Sequence, residues 1–304
     1  MNEKGVPTLL GIPFDACSSY LRGAGEAPPK IREALHCTAS NDWTELGVNL
    51  RADGIHEDAG DLKLADPGSR PTGEVQDTPE DAFHLIEEHV AALIAEGKRP
   101  VLLGGDHSIT YPIVRGFARH CRALTIFHFD AHPDLYDEFE GNRLSHACPF
   151  ARIMETGLAQ RLVQVGIRGA NQHQREQAKR FGVEIVEMRG LPAYDKLKAD
   201  GPVYISFDVD VLDPAFAPGI SHREPGGMSV REAIAHLHAI HATNRRSRRG
   251  RVQSRPRRRR IDSDRGGEDI ERNPRKDAST ALIAAVGRSP SHVISVTYTL
   301  WRQR

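Results

Sequence analysis

"LTIFHFDAHPDLYD" (residues 124–137) changes character at its midpoint. Up to Phe129 it is β-rich and almost wholly apolar, so alternation gives no solvent side. That pattern predicts a strand buried on both faces, as in a parallel sheet covered by helices. Asp130, His132 and Asp134 then follow at i, i+2, i+4, a spacing that puts three side chains on one face of an extended chain. Three ionisable groups at the end of a buried strand are costly unless something positive neutralises them. The alternative is a solvated acidic loop.

The same design recurs. "YISFDVDVLDP" (204–214) ends an apolar run with Asp208 and Asp210 on one face, and "RPVLLGGDHSIT" (99–110) ends one with Gly104, Gly105, Asp106, His107 and Ser108. Taken alone, the aspartate pair also suits an acid/base dyad, and the glycine stretch a turn with a hydrogen-bonded histidine. Further runs lie at 8–14, 162–169 and 182–188, with helical patterns at 79–98, 175–182 and 229–242. Strands alternating with helices predict a three-layer α/β/α fold with a mainly parallel central sheet, whose ligand site lies at the carboxyl ends of the strands. All three clusters fall at that edge. His107, His132, Asp130, Asp134, Asp208 and Asp210 offer four carboxylates and two imidazoles without a thiolate, a set that suits Mn²⁺ and two-metal hydrolysis better than structural zinc.

Composition bounds the rest. The 304 residues are 39% hydrophobic, enough for a sizeable core. No apolar run is long enough to span a bilayer, and the N-terminus lacks a basic segment followed by a long apolar stretch. Four scattered cysteines form no CxxC pair, so a reducing cytoplasm is the expected location. Net charge is zero, but residues 1–244 carry 24 basic and 35 acidic groups, and residues 245–304 carry 17 and 6. An acidic body and a basic stretch without interleaved aromatics argue against a nucleic-acid partner.

"GGDHSIT", "DAHPD" and "SFDVDVLDP", in that order, resemble the metal-binding signatures of the ureohydrolases, the arginase/agmatinase family. "DLYDEFEGN", "SHACPFARIME" and "DPAFAPGISHREPGGMSVREA" are similar to the plant-type arginase branch and its bacterial relatives. The resemblance implies two manganese ions per subunit. His107 and Asp134 would ligate one, His132 and Asp210 the other, and Asp130 and Asp208 both. It implies hydrolysis of a small guanidino substrate to urea and an amine, arginine to ornithine in the leading reading. Agmatine or a guanidino acid is the alternative, and a relative that only binds metal the second. Water made acidic by the two ions would attack, with Asp134 holding its proton and His146 protonating the leaving amine. Asn142 and Ser145, before His146, are candidates to bind a substrate α-carboxylate, although Asn142 also suits a turn after Gly141. A homo-oligomer, trimer or hexamer, is implied by resemblance alone.

The resemblance stops at Thr243. There the family carries a strand-end motif resembling V-G-A-D-V-V-E-F-N-P, whose Glu binds the guanidinium. This chain has "NRRSRRGRVQSRPRRRR" (244–260), which no buried strand accommodates. Deleting one base in a codon for Asn244 lets the following arginine codons read T-I-V-G-A-D-V-V-E-F-N-P. Residues 1–243 are therefore expected to form the catalytic domain, and 244–304 a frameshifted, non-native or disordered tail. The chain is then expected to lack the guanidinium anchor, the last strand and the last helix, and to be weakly stable and weakly active. "EDIERNPRKD" (268–277) puts Glu271 in the anchor's place, but it lacks the apolar strand and is read as coincidence.

Overall fold

The computed structural model describes residues 5–39, 41–64, 78–243 and 292–297. In chain order these form β1 Pro7–Ile12, α1 Ala27–Leu35, β2 Glu57–Asp61, α2 Pro79–Ala95, β3 Arg99–Gly104, α3 Thr110–Ala118, β4 Thr125–Phe129 and α4 Pro149–Glu155. There follow β5 Arg161–Ile167, α5 Gln172–Phe181, β6 Glu184–Glu187, β7 Lys198–Asp200, β8 Val203–Asp208, α6 Val230–His238, β9 His241–Thr243 and β10 His292–Thr297. Eight strands make one sheet in the order β2-β1-β3-β10-β8-β4-β5-β6, and every pairing in it is parallel.

Alternate residues of the central strands feed two separate cores, which is why these strands read as continuously apolar. Leu9, Val101, Leu103, Phe127, Phe129, Ile205 and Phe207 pack with α1 and α6. Leu10, Leu102, Ile126, Leu162 and Tyr204 pack with α2 to α5. The helices start where the chemistry permits. Thr78 and Asp81 form a reciprocal capping box on α2, and Ser229 and Glu232 form one on α6. α5 begins at the Asn171 cap, earlier than the apolar pattern predicts, and ends at left-handed Gly182. α6 is shorter than its pattern, because His241–Thr243 leaves the helix to pair with β7.

One expectation is corrected. The sheet is not short of a strand. β10 lies between β3 and β8, with Val296 opposite Phe207 and Thr297 opposite Asp208. "HVISVT" is rich in β-branched residues, and such a segment satisfies the backbone ladders of both neighbours whatever precedes it. These six residues belong to the segment expected to stand outside the fold. The arginine run, Glu271 and the expected loss of a final helix lie outside the described residues.

The topology positions the site. From β1 the chain moves outward to β2, then returns to β3 and crosses to β4, continuing outward through β5 and β6. The positions that separate β3 from β4 are filled last, by β8 and β10. The carboxyl ends of β3, β4 and β8 flank this change of direction, where open α/β sheets form their ligand crevice.

Candidate metal centre

Register brings the acidic clusters level. His128 pairs with Ser206 and Phe129 with Phe207, so Asp130 and Asp208 leave the sheet side by side. From β3 the chain turns through Gly105, where a Cβ would lie 1.7 Å from the Phe14 carbonyl oxygen, so only glycine fits. Asp106, 1% exposed, then pins the turn, accepting from Cys17 N, Ser18 Oγ and Ser108 N. Asp134 has φ of +50°, a conformation uncommon for residues other than glycine and one that collects at functional sites.

The six predicted ligands converge on one cleft of about 150 Å³, which His146 also lines. His107 Nδ1 lies 3.0 Å from Asp130 Oδ2, 2.8 Å from Asp134 Oδ2 and 3.6 Å from Asp208 Oδ2. His132 Nδ1 lies 3.0 Å from Asp210 Oδ2 and 3.4 Å from Asp130 Oδ1. Asp130 thus turns one oxygen toward each histidine, the disposition of a bridging carboxylate.

The donors fit a pair of divalent cations. His107 Nε2 is 2.9 Å from Ser206 Oγ, and with its proton there Nδ1 is a buried lone pair, without a hydrogen bond, facing carboxylate oxygens. That arrangement is repulsive unless a cation lies between. Without one, the cluster must hold protons instead. Burial, then the charge of Asp130, pushes Asp134 up to about 7. Burial and the charge of Asp210 push Asp208 well above the carboxylate range. Burial opposes a proton on His132, but Asp210 and Asp130 beside it override this and raise it to about 12. Metal ions displace such protons when they bind. Oxygen and imidazole donors without thiolate fit divalent metal ions, and the acidity of bound water is the chemistry such ions supply.

At the rim, His146 Nε2 lies 2.8 Å from the Ser19 hydroxyl, and its ring stacks on His222 at 5.4 Å. Burial, then the nearby His222, lowers His146 to about 3. Tyr136, Phe139 and Gln174 complete that wall. Asn142 and Ser145 are not among the lining residues. Asn142 Oδ1 accepts from Leu144 N at 2.7 Å, and its backbone closes a turn with Phe139, so it holds the turn at Gly141. Ser145 is 3% exposed, and its Oγ accepts from Ala147 N at 3.4 Å.

Several supporting residues escape a reading by local spacing. Arg168 donates to the carbonyls of Asp210 at 2.7 Å, Glu224 at 2.8 Å, Val211 at 3.2 Å and Leu212 at 3.3 Å. It ties the loop after β5 to the loop after β8. Gln164, His128 and Ser206 form a polar row across β5, β4 and β8, since His128 is opposite both others. Their signal is a single polar residue interrupting each apolar strand, but only the register shows that the three meet.

A model of the arginase family matches residues 7–247. "Arginase 1, mitochondrial" of Arabidopsis thaliana is 48% identical over 251 residues, covering 79% of this chain and 71% of that one. "Agmatinase" of Bacillus subtilis (strain 168) is 32% identical over 241 residues, covering 78% and 79%. The solved "Arginase from Medicago truncatula" superposes with a TM-score of 0.72 at 39% identity, covering 94% of this chain and 86% of that one.

Proposed function

The chain belongs to the arginase family, and from that premise we propose that it hydrolyses L-arginine to L-ornithine and urea with two Mn²⁺ ions. The observation that carries the reading is the convergence of two histidines and four buried aspartates around a carboxylate, Asp130, that faces both histidines. His107 and Asp134 would hold one ion, His132 and Asp210 the other, and Asp130 and Asp208 would serve both. Bound there, the ions would lower the pKa of a water and stabilise negative charge developing on the guanidino carbon's substituents.

The chain's own groups supply the rest. Asp134 takes a proton from the attacking water as the water oxygen bonds to the guanidino carbon and returns it to the departing nitrogen, and the remaining hydroxyl proton leaves to solvent as the urea carbonyl forms. His146, kept neutral by burial, relays a proton from solvent to the departing nitrogen as the carbon–nitrogen bond breaks. Ser19 steers the ring through its contact with Nε2. Arginine is favoured over agmatine because the similarity to arginases runs higher than that to agmatinases. Among the described residues the carboxylates lining the cleft are those of the metal set. The expected place of the guanidinium anchor lies outside them, and slow turnover is expected from the sequence that replaces the anchor motif after Thr243. The test is urea release from arginine, agmatine and guanidinobutyrate, each with and without Mn²⁺. Metal-dependent urea, greatest from arginine, supports the proposal. Urea from agmatine alone replaces the substrate, and two bound ions without urea make the chain a metal-binding relative.

A further inference from the structure

His128 sits within ligand distance of the cluster. Its ring nitrogens group with donor atoms of His107 and Asp130 as closely as those of a metal site do. Its hydrogen bonds assign it another part. Gln164 Nε2 lies 2.6 Å from the Pro133 carbonyl oxygen and 3.0 Å from His128 Nδ1. The carbonyl can only accept, so the nearby Gln164 atom must be the amide nitrogen, and it has a second proton for His128 Nδ1. His128 Nδ1 is therefore an acceptor, its proton sits on Nε2, and Nε2 donates to Asp130 Oδ2 at 2.8 Å. A nitrogen that carries a proton has no lone pair for a metal.

The position is rigid. His128 is 0% exposed, and its ring stacks on Phe150 at 4.0 Å. Asp130 Oδ1 is held separately, accepting from His132 N at 2.5 Å. With one oxygen fixed by backbone and the other by His128, the Asp130 carboxylate cannot rotate. We infer that His128, locked by Gln164 and Pro133, is a positioning residue that holds Asp130 Oδ2 toward His107 while Oδ1 faces His132. It is the partner of Ser206, which fixes His107 in the same manner one strand away. Ordered hydrogen bonds behind metal ligands typically change metal affinity by about 10–100-fold.

This inference rests on the two-metal reading above, and Mn²⁺ titration calorimetry on the full chain separates them. The wild-type chain should take up two ions; uptake of none overturns the two-metal reading itself. His128→Leu keeps most of the stacking volume without the donor, whereas His128→Gln keeps an N–H at the height of Nε2. The first should weaken binding of the ions about 10–100-fold with an unchanged circular dichroism spectrum, and the second should stay within about threefold of wild type. Wild-type affinity in His128→Leu makes His128 a bystander and overturns the inference. An equal loss in both variants overturns it in favour of direct ligation. Should His128→Leu fail to fold, Gln164→Met, which frees the His128 ring, is expected to show the same weakening, and wild-type affinity there likewise overturns the inference.

Discussion

Arg168 offers the sharpest test of how the sheet holds the centre. Its guanidinium donates to the carbonyl oxygens of Asp210 at 2.7 Å and Glu224 at 2.8 Å, with longer bonds to Val211 and Leu212. Its backbone N–H donates to the Ala131 carbonyl at 2.9 Å, and Ala131 N in turn donates to Asp210 Oδ1 at 3.0 Å. The side chain thus braces the loop that carries Asp210 against the end of β5, and the backbone of the same residue ties that end to the loop that carries His132. Arg168→Met keeps the apolar stem and removes the fork. A hydrogen bond to a charged group contributes about 1.5–3 kcal/mol, but Arg168 is only half-buried, so the lower end applies. Two strong bonds and the weaker ones then give a loss of about 3–4 kcal/mol. For a domain of this size that lowers the melting temperature by roughly 6–16 °C. Arg168→Lys should recover less than half of the loss, because an ammonium cannot fork across four carbonyls as the guanidinium does. Thermal unfolding followed by circular dichroism measures this, with Mn²⁺ affinity as a second readout. A melting temperature within about 2 °C of wild type for Arg168→Met refutes the bracing role.

Other expectations follow from single contacts. Gly105→Ala drives a methyl against the Phe14 carbonyl and should cost about 3 kcal/mol, read as a lowered melting temperature. His146→Ala should lower kcat by about 10²–10⁴-fold while leaving Mn²⁺ stoichiometry intact, measured by urea release and calorimetry on one preparation. His132 has a folded pKa of about 12 against an ordinary 6.5, so its stabilisation is present below 6.5 and is lost as pH rises through that interval. Metal-free protein should therefore melt at lower temperature at about pH 9 than at about pH 7, and Mn²⁺ should reverse that slope. Sequencing the gene across the codons for residues 240–250 should show one base too many near Asn244; a well-supported frame as written removes the frameshift.

The sequence made the centre legible because its ligands repeat locally. Asp130, His132 and Asp134 follow one strand end at two-residue spacing, and Asp208 and Asp210 repeat the pattern, so the clustering shows in the sequence. The extended geometry expected of it does not hold, because the chain turns after Phe129, Asp134 is left-handed and Asp210 lies in a 3-10 turn. The parallel sheet was legible for a related reason: two cores demand strands apolar on both faces. What depends on register was not. Gln164, His128 and Ser206 are single polar residues in separate strands, and nothing in their local pattern says they lie opposite one another. Arg168 is ambiguous in sequence, since it satisfies carbonyls more than forty residues away. Asn142 misled because one side chain suits both a turn and a carboxylate, and here the backbone takes it. β10 was missed because the arginine run dominates the segment before it, while six residues, four of them β-branched, suffice to fill a slot flanked by two ladders.

The central claim is that Mn²⁺ held by these six residues drives hydrolysis of a guanidino group. It is tested most directly by urea formation from L-arginine, comparing the Mn²⁺-loaded chain with the same chain stripped by chelator and with Asp130→Asn. Slow urea release by the loaded chain, absent from both controls, is the expected result. Urea formation that survives chelation, or no urea from a chain shown to hold two ions, contradicts the account.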